Sequence, residues 1–482
     1  MTMERGITSY GAYIPRLRID RAAIASAHSW AFPSLRGKGA RALANWDEDT
    51  VTMAVEASRG AMLDGVSAIA FASITPPYAD LQNATLVAAA AGLGADVAAR
   101  DYAGSLRAGS SALLDALLSN REGAALVVGS DARHAKPGGA QEMAYGAGAA
   151  AITIGGEGVI ARLIGHASRA VNFVDHYRAT GDQYDYYWED RWIREEGFGK
   201  ILPPAITAAL SATNLQPGDI DHFCLPSSMG KVADAVAKKA GIRPESVSDD
   251  LSSNCGETGA AHGLMMLALA LEKAKPGERI MLVTFGAGCD VLVFEATDAI
   301  KGYTSASPVS AQVARGVTEA HYTKILSFHG NLELDWGMRG EHNEKIAQTQ
   351  AWRAADQLAT FTAGKCSACG TIQFPQLAKC VECGSSGALS PVPLANEPAS
   401  VASFTADWLQ FTPSPPLYFG LVNFANGARV LMEYVDVDPA LLKVGTGLRM
   451  VYRIKSVDSE RHNSRYFWKA VPMAPAKDEQ GD

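Results

Sequence analysis

Residues 101–118, DYAGSLRAGSSALLDALL, run from a strand-like approach through a Gly/Ser turn into a helix that is almost wholly apolar. Residues 254–271, NCGETGAAHGLMMLALAL, repeat the pattern later in the chain. A helix apolar on every side has to be buried. Its first turn then presents unpaired N–H groups to the interior, where they and the helix dipole stabilise negative charge. The surroundings repeat as well. Turn residues at 120–123 and 275–278 are followed by strand-like runs at 124–129 and 280–285, and further runs close the two copies at 149–154 and 291–294. One supersecondary unit therefore occurs twice. The expected fold class is α/β: a duplicated, layered α/β/α/β/α body with two buried helices side by side and a site at their junction.

At 482 residues the chain has room for more than one domain, and its net charge of −8 argues against general affinity for nucleic acid or anionic membrane. No uninterrupted apolar run is long enough to span a bilayer. The first residues, MTMERG, lack the basic and apolar regions of a signal peptide. Seven cysteines, four of them in two CxxC pairs, suit a reducing compartment and a metal site better than disulfides. A cytoplasmic location is expected.

The two pairs, Cys366/Cys369 and Cys380/Cys383, are the most specific motif in the chain. Four thiolates on two short knuckles make a closed tetrahedral site for structural zinc, and a glycine follows each second cysteine. Five short β-rich runs lie beyond, at 400–405, 417–424, 429–434, 448–454 and 466–471, and predict a small barrel of OB type. Eight basic against seven acidic residues over 395–475 give that barrel no nucleic-acid footprint. The domain plan is a body over 1–304 with halves near 1–165 and 166–304, a linker and helices over 305–365, the ribbon over 366–390, the barrel over 391–475 and a disordered tail over 476–482. Residues 175–192, dense in aromatics and charges without a clean period, read as a surface excursion that walls a pocket or a subunit contact, or caps the fold without chemistry.

Residues 6–15 (GITSYGAYIP), 47–54 (DEDTVTMA), 107–112 (RAGSSA), 256–260 (GETGA) and 285–288 (FGAG) resemble the thiolase superfamily, in its hydroxymethylglutaryl-CoA synthase and ketoacyl synthase III branch. Residues 366–475 resemble the zinc-ribbon/OB module that accompanies acyl-CoA thiolases. The resemblance implies a CoA thioester as substrate, a homodimer, and a cysteine nucleophile at the start of the first buried helix. It also implies a histidine at a strand end in the second half and, in the synthases, a glutamate base. Counting along this chain puts the cysteine position at Leu106, the histidine position at Pro226 and the glutamate position at Ile74. None of these side chains can attack or carry a proton, as covalent acyl transfer requires.

The expectation is therefore carbon–carbon bond chemistry without an acyl-enzyme, an aldol or retro-aldol cleavage of a β-hydroxyacyl-CoA. Such a reaction needs a base and an enolate site. Glu257 is the candidate base or proton shuttle, with His262 as a second proton carrier or a satisfied core residue. The N–H groups near Ser105 to Ser110 and the turn 286–288 are candidates for the enolate site. Ser105 is a weak nucleophile candidate and a better helix cap. Cys224, Cys255 and Cys289 read as small core residues. For the CoA phosphates the candidates are Arg36, Lys38 and Lys231, with Trp30 beside the adenine. Two alternatives stay open: a condensing acyltransferase, and a silent acyl-CoA-binding or assembly subunit that works with another enzyme.

Overall fold

The computed structural model describes residues 5–341 and 344–474. The tail expected at 476–482 lies outside them. Residues up to Asn331 form one compact unit, the turn Ala89–Gly92 apart, and those from Leu332 form another.

The first unit is built on a nine-stranded sheet. Its strands in chain order are β1 (Gly6–Tyr13), β2 (Val66–Ala72), β3 (Ala98–Tyr102), β4 (Ala124–Ala132), β5 (Ala147–Gly155), β6 (Ala161–Ala170), β7 (His222–Cys224), β8 (Arg279–Phe285) and β9 (Gly288–Ala296). They lie in the order β7-β8-β9-β6-β1-β5-β4-β2-β3. The run β1-β5-β4-β2 is echoed by β6-β9-β8-β7. In each copy the second and third strands are antiparallel and the third and fourth parallel. The copies join where β1 meets β6, Gly6 opposite Arg162. The repeat read from the sequence is thus a repeat of topology, and the thiolase-like layered body follows from it.

Two helices run through the middle of this body: α1 (Ala108–Leu118) from the first half and α2 (His262–Lys273) from the second. From His262 to Leu271 every residue of α2 is buried. The first helix departs from the all-round burial its composition predicts, because Asp115 and Leu118 reach solvent. The helices approach so closely at Gly109 that an added Cβ would lie 2.3 Å from the Ala260 carbonyl oxygen. Only a residue without a side chain fits this crossing.

A third helix, Thr50–Ser58, packs wholly buried beneath the sheet. Asp49 caps it by accepting from the Thr52 N–H at 2.9 Å, and Thr52 Oγ1 accepts from the Asp49 N–H in return. The segment DEDTVTMA at 47–54 thus carries a capping box at its helix start. The small polar segment expected as a linker near 305 is instead pinned to β1. Ser305 donates to the Tyr10 carbonyl at 2.6 Å, and the Ala12 N–H donates to that of Ser307 at 2.8 Å.

In the second unit a three-stranded ribbon centres on Thr362–Cys366, flanked by Ile372–Gln373 and Leu389–Pro393. The five barrel strands are Ala399–Val401, Leu417–Phe424, Arg429–Tyr434, Gly447–Asp458 and Asn463–Pro472. They close in the order first-second-third-fifth-fourth-first, with the third and fifth parallel. Among the described residues no helix is long and apolar enough to cross a membrane.

Replacing Gly109 with alanine is expected to lower stability by about 1–3 kcal/mol, since the backbone of Ala260 has to retreat. A urea titration that leaves the midpoint unmoved would contradict the close crossing.

Candidate active site and zinc centre

Leu106, Pro226 and Glu257, widely separated in the chain, line one small pocket of about 30 Å³. Leu106 sits two residues before α1, Pro226 two residues after β7, and Glu257 in the loop that leads into α2. Thr284 and Phe285 at the end of β8 complete the floor, and Ser227 and Ser228 form the rim. The two inert residues counted onto the cysteine and histidine positions thus face one space at the junction of the repeats. Ile74 is not part of its wall: its N–H donates to Asp131 and its carbonyl accepts from Arg178.

Glu257 is 5 % exposed and held at both oxygens. Oε2 accepts from Arg133, and Oε1 accepts from the Gly259 N–H at 2.8 Å. Arg133, almost fully buried, also donates to Asp185 at 2.6 Å and to the Tyr145 hydroxyl at 2.7 Å. Burial alone would lower the Arg133 pKa, but Glu257, Tyr145 and Asp185 hold it above its ordinary value. Asp185 belongs to the aromatic excursion. That excursion also puts Asp175 and Tyr187 on the pocket wall, with Tyr177 and Tyr186 paired in a short antiparallel ladder. The Tyr187 hydroxyl lies 3.0 Å from Ser228 Oγ, and burial pushes its pKa up to about 12, so it keeps its proton at neutral pH.

The other predicted catalytic residues do not join this pocket. Ser105 donates to the Gly286 carbonyl at 2.9 Å and accepts from the Arg107 N–H at 3.3 Å, so its hydroxyl proton goes to a backbone oxygen rather than to a base. Nor is it the cap that the sequence predicts, because the N-cap of α1 is Arg107. His262 is 1 % exposed, and both ring nitrogens are used: Nδ1 accepts from the Thr258 N–H at 3.0 Å, and Nε2 donates to the Asp250 carbonyl at 2.9 Å. It is the satisfied core histidine, not a second proton carrier. In the turn 286–288 the Gly286 N–H is spent on the Gly288 carbonyl at 3.0 Å, so that group is not free for an enolate. Burial raises the thiols of Cys224, Cys255 and Cys289 to about 11, 12 and 11, leaving them protonated and unreactive at neutral pH.

A second buried carboxylate, which sequence reasoning missed, organises the pocket from behind. Asp131, at the end of β4, accepts from the hydroxyls of Ser73 and Thr75 and from the N–H groups of Ile74, Thr75 and Ala260. It occupies the start of the second buried helix, where the dipole favours an anion. Burial raises its pKa to about 6 against those five donors.

The four proposed CoA contacts line neither this pocket nor the larger cavity beside it. Trp30 is 86 % exposed. Arg36 donates to the carbonyls of Pro33 and Leu35, Lys38 is exposed, and Lys231 is an exposed residue with φ 65° at the start of the helix Val232–Ala240. The structure does not bring them together.

In the ribbon, the sulfurs of Cys366, Cys369, Cys380 and Cys383 all lie within 4.8 Å of one another. Cys366 and Cys383 are 3.8 Å apart, and Cys369 and Cys380 3.5 Å. Tetrahedral zinc with 2.3 Å bonds requires S···S separations of about 3.8 Å. The knuckles close through Gly370 and Gly384, both with positive φ, whose N–H groups donate to the carbonyls of Cys366 and Cys380. The donor set fits a closed, structural zinc site with no position left for a substrate.

Comparison with known proteins agrees with this geometry. Residues 210–293 match the family model for the C-terminal part of 3-oxoacyl-[acyl-carrier-protein] synthase III, and residues 355–389 match the rubredoxin-like zinc ribbon domain of ChsH2. Hydroxymethylglutaryl-CoA synthase of Picrophilus torridus is 32% identical over 352 residues, 68% of this chain and 99% of the relative. That of Aeropyrum pernix is 33% identical over 358 residues, 71% and 94%. A solved hydroxymethylglutaryl-CoA synthase complexed with CoA superposes with a TM-score of 0.57 at 15% identity, covering 72% of this chain and 95% of that one. The β-ketoacyl-[acyl carrier protein] synthase III of Thermus thermophilus does so with a TM-score of 0.52 at 22% identity, covering 60% and 98%.

Metal analysis of the purified chain is expected to find about one zinc per chain. Cys380→Ser is expected to abolish it, and a full complement in that variant would contradict a four-thiolate site. Asp131→Ala leaves five donors without their acceptor and is expected to cost more than about 3 kcal/mol in a urea titration. By its sequence relatives, with the thiolase fold beneath and a zinc ribbon appended, the chain belongs to the hydroxymethylglutaryl-CoA synthase family.

Proposed function

We propose that this chain makes or breaks a carbon–carbon bond in a CoA thioester without forming an acyl-enzyme, as an aldol or retro-aldol lyase on a β-hydroxyacyl-CoA. The observation that carries the reading is the pair Leu106 and Pro226 on the wall of the Glu257 pocket. Neither side chain is a nucleophile or a base, the three body thiols are buried and protonated, and the Ser105 hydroxyl donates to the Gly286 carbonyl rather than to a base.

In the cleavage direction the β-hydroxyl gives up its proton to a base and becomes a carbonyl. The Cα–Cβ bond breaks, and its electron pair passes to the thioester as an enolate. Protonation at Cα then completes the shorter acyl-CoA. Glu257 is the base in this reading, its carboxylate oriented by Arg133 and the Gly259 N–H. Tyr187, a protonated hydroxyl on the same wall, is suited to return a proton. Enolate stabilisation falls to the Leu106 N–H at the approach to α1 and to the positive end of that helix's dipole.

A second reading, a condensing acyltransferase, is favoured by the relatives, which carry the name hydroxymethylglutaryl-CoA synthase. It concerns the same kind of bond but requires a covalent acyl group on the protein. A silent acyl-CoA-binding subunit that assists another enzyme is the third, supported by the same missing nucleophile. Barrel strand order supports an OB-type module, and the family resemblance supports a cytoplasmic homodimer, which light scattering of the purified chain can test.

Intact-protein mass spectrometry after incubation with acyl-CoAs is expected to find no adduct. An acyl group retained on the chain, and lost in Ser105→Ala, would establish the condensing reading instead. Against a β-hydroxyacyl-CoA, Glu257→Gln is expected to lower turnover by about 10²–10⁴-fold. No turnover by the unaltered chain in either direction would favour the silent subunit.

A further inference from the structure

Two cavities of the first unit are each lined by three arginines. One, about 380 Å³, opens beside the Glu257 pocket with Arg41, Arg133 and Arg178 on its wall. Its cations are engaged by the protein: Arg133 and Arg178 face Asp185, and Arg41 donates to the Glu142 carbonyl. The other, about 170 Å³, lies along α1 and shares no lining residue with the first or with the Glu257 pocket. The chemistry proposed above makes no use of it.

Strand alternation and small residues make this second space. Side chains two apart on a strand share a face. In register, Arg100, Ala70 and Val127 form one row across β3, β2 and β4, and Ala68 and Ala125 pair in the next. Over this floor α1 presents Ala112, Asp115 and Ala116, spaced three and four residues apart and so on one helical stripe, with Ser119 just beyond. Alanines on both facing surfaces leave a gap that larger side chains would close.

Arg5, Arg100 and Arg121 rim the gap. Arg5 donates through Nη1 to the carbonyls of Arg121 and Gly123 at 2.7 and 2.9 Å, which fixes its plane. Its Nε and Nη2 are buried and have no acceptor. These two nitrogens form the side-on edge of a guanidinium, which takes an oxyanion by two parallel hydrogen bonds. Arg100 and Arg121 are exposed, and among the described residues none of the three arginines has a carboxylate within ion-pair distance. The acid on the wall, Asp115, accepts from the Tyr102 hydroxyl at 3.0 Å. Its charge and the negative end of α1, worth about half a charge, offset roughly one and a half of the three positive charges. A positive surplus remains, in a chain whose net charge is −8. Buried donors without acceptors are costly, and an anion that supplies the oxygens relieves the cost.

We propose that this cavity is a separate binding site for a small organic anion, a carboxylate or phosphate carried on a short apolar body. The head group accepts from Nε and Nη2 of Arg5 and from Arg100 and Arg121, and the body lies on the alanine floor beneath α1. A cavity of this volume has room for roughly ten water-sized atoms, enough for a chain of about six carbons with its head group. The site does not depend on the acyl-CoA reading.

Calorimetry of the full chain at low salt, with hexanoate and hexyl phosphate against hexanol and inorganic phosphate, tests the site and tells the two head groups apart. At least one hexyl anion is expected to bind about tenfold or more tightly than both hexanol and inorganic phosphate. Replacing both exposed arginines, Arg100→Gln with Arg121→Gln, is expected to remove most of that advantage. Ala116→Leu, which fills the floor without altering charge, is expected to abolish binding of the hexyl anion. Hexyl anions that bind no better than hexanol, or no better than inorganic phosphate, overturn the proposal. So does binding that survives either replacement unchanged, because the anion then sits elsewhere on the chain. Neither exposed arginine side chain bonds to another part of the protein among the described residues, so the double variant decides even if Ala116→Leu fails to fold.

Discussion

The buried guanidinium of Arg133 holds together three parts of the chain that nothing in the sheet would keep in register. It follows β4 of the first half, and it binds Glu257 of the second half and Asp185 of the excursion. Its carbon Cζ also sits 3.5 Å over the centre of the Tyr145 ring, a cation–π contact on the same residue that accepts its hydrogen bond. A buried ion pair adds little net stability, because desolvation offsets most of the attraction. Removing one partner is another matter and costs about 3–5 kcal/mol, since a charge is left stranded. The cluster therefore acts chiefly on geometry. It sets where Glu257 points and fastens the excursion over the pocket.

This geometry bears on what the replaced residues do. A leucine and a proline at the junction leave only about 30 Å³ of room, and the open space lies on the Arg133 side of Glu257 instead. A catalyst that must hold an acyl group on a side chain needs room beside that side chain. One that holds its substrate only by non-covalent contacts can place the acyl group elsewhere, provided the reacting carbons stay within reach of a base. The enclosed pocket and the open, arginine-lined cavity are consistent with the second arrangement.

Much of the body was legible because its signals are local and periodic. Strand, turn and apolar helix occur in the same order twice, and a helix start transmits register rigidly, so counting from Asp101 led to Leu106, a residue of the pocket wall. The four cysteines were legible because thiolate spacing on knuckles has few uses. Burial was less so. Composition predicted two equally enclosed helices, but Asp115 turns one face of α1 to solvent.

Arg133, Asp131 and Arg41 escaped the sequence reading for a common reason. Each is a charge within or just past the end of a strand, where the pattern of apolar residues says only that the strand is stopping. Whether such a charge meets water or a partner depends on segments far away: residue 257 for Arg133, residue 260 for Asp131, residue 142 for Arg41. No period links those positions. A useful signal was available in the excursion, whose unusual density of charge and aromatic rings is hard to reconcile with an idle surface loop. In the folded chain its acid Asp185 completes the Arg133 cluster, and its Tyr187 reaches the pocket. A charged segment without a period is better read by asking which buried opposite charge elsewhere lacks a partner. Here that question leads from Asp185 to Arg133 and from there to Glu257 on the pocket wall.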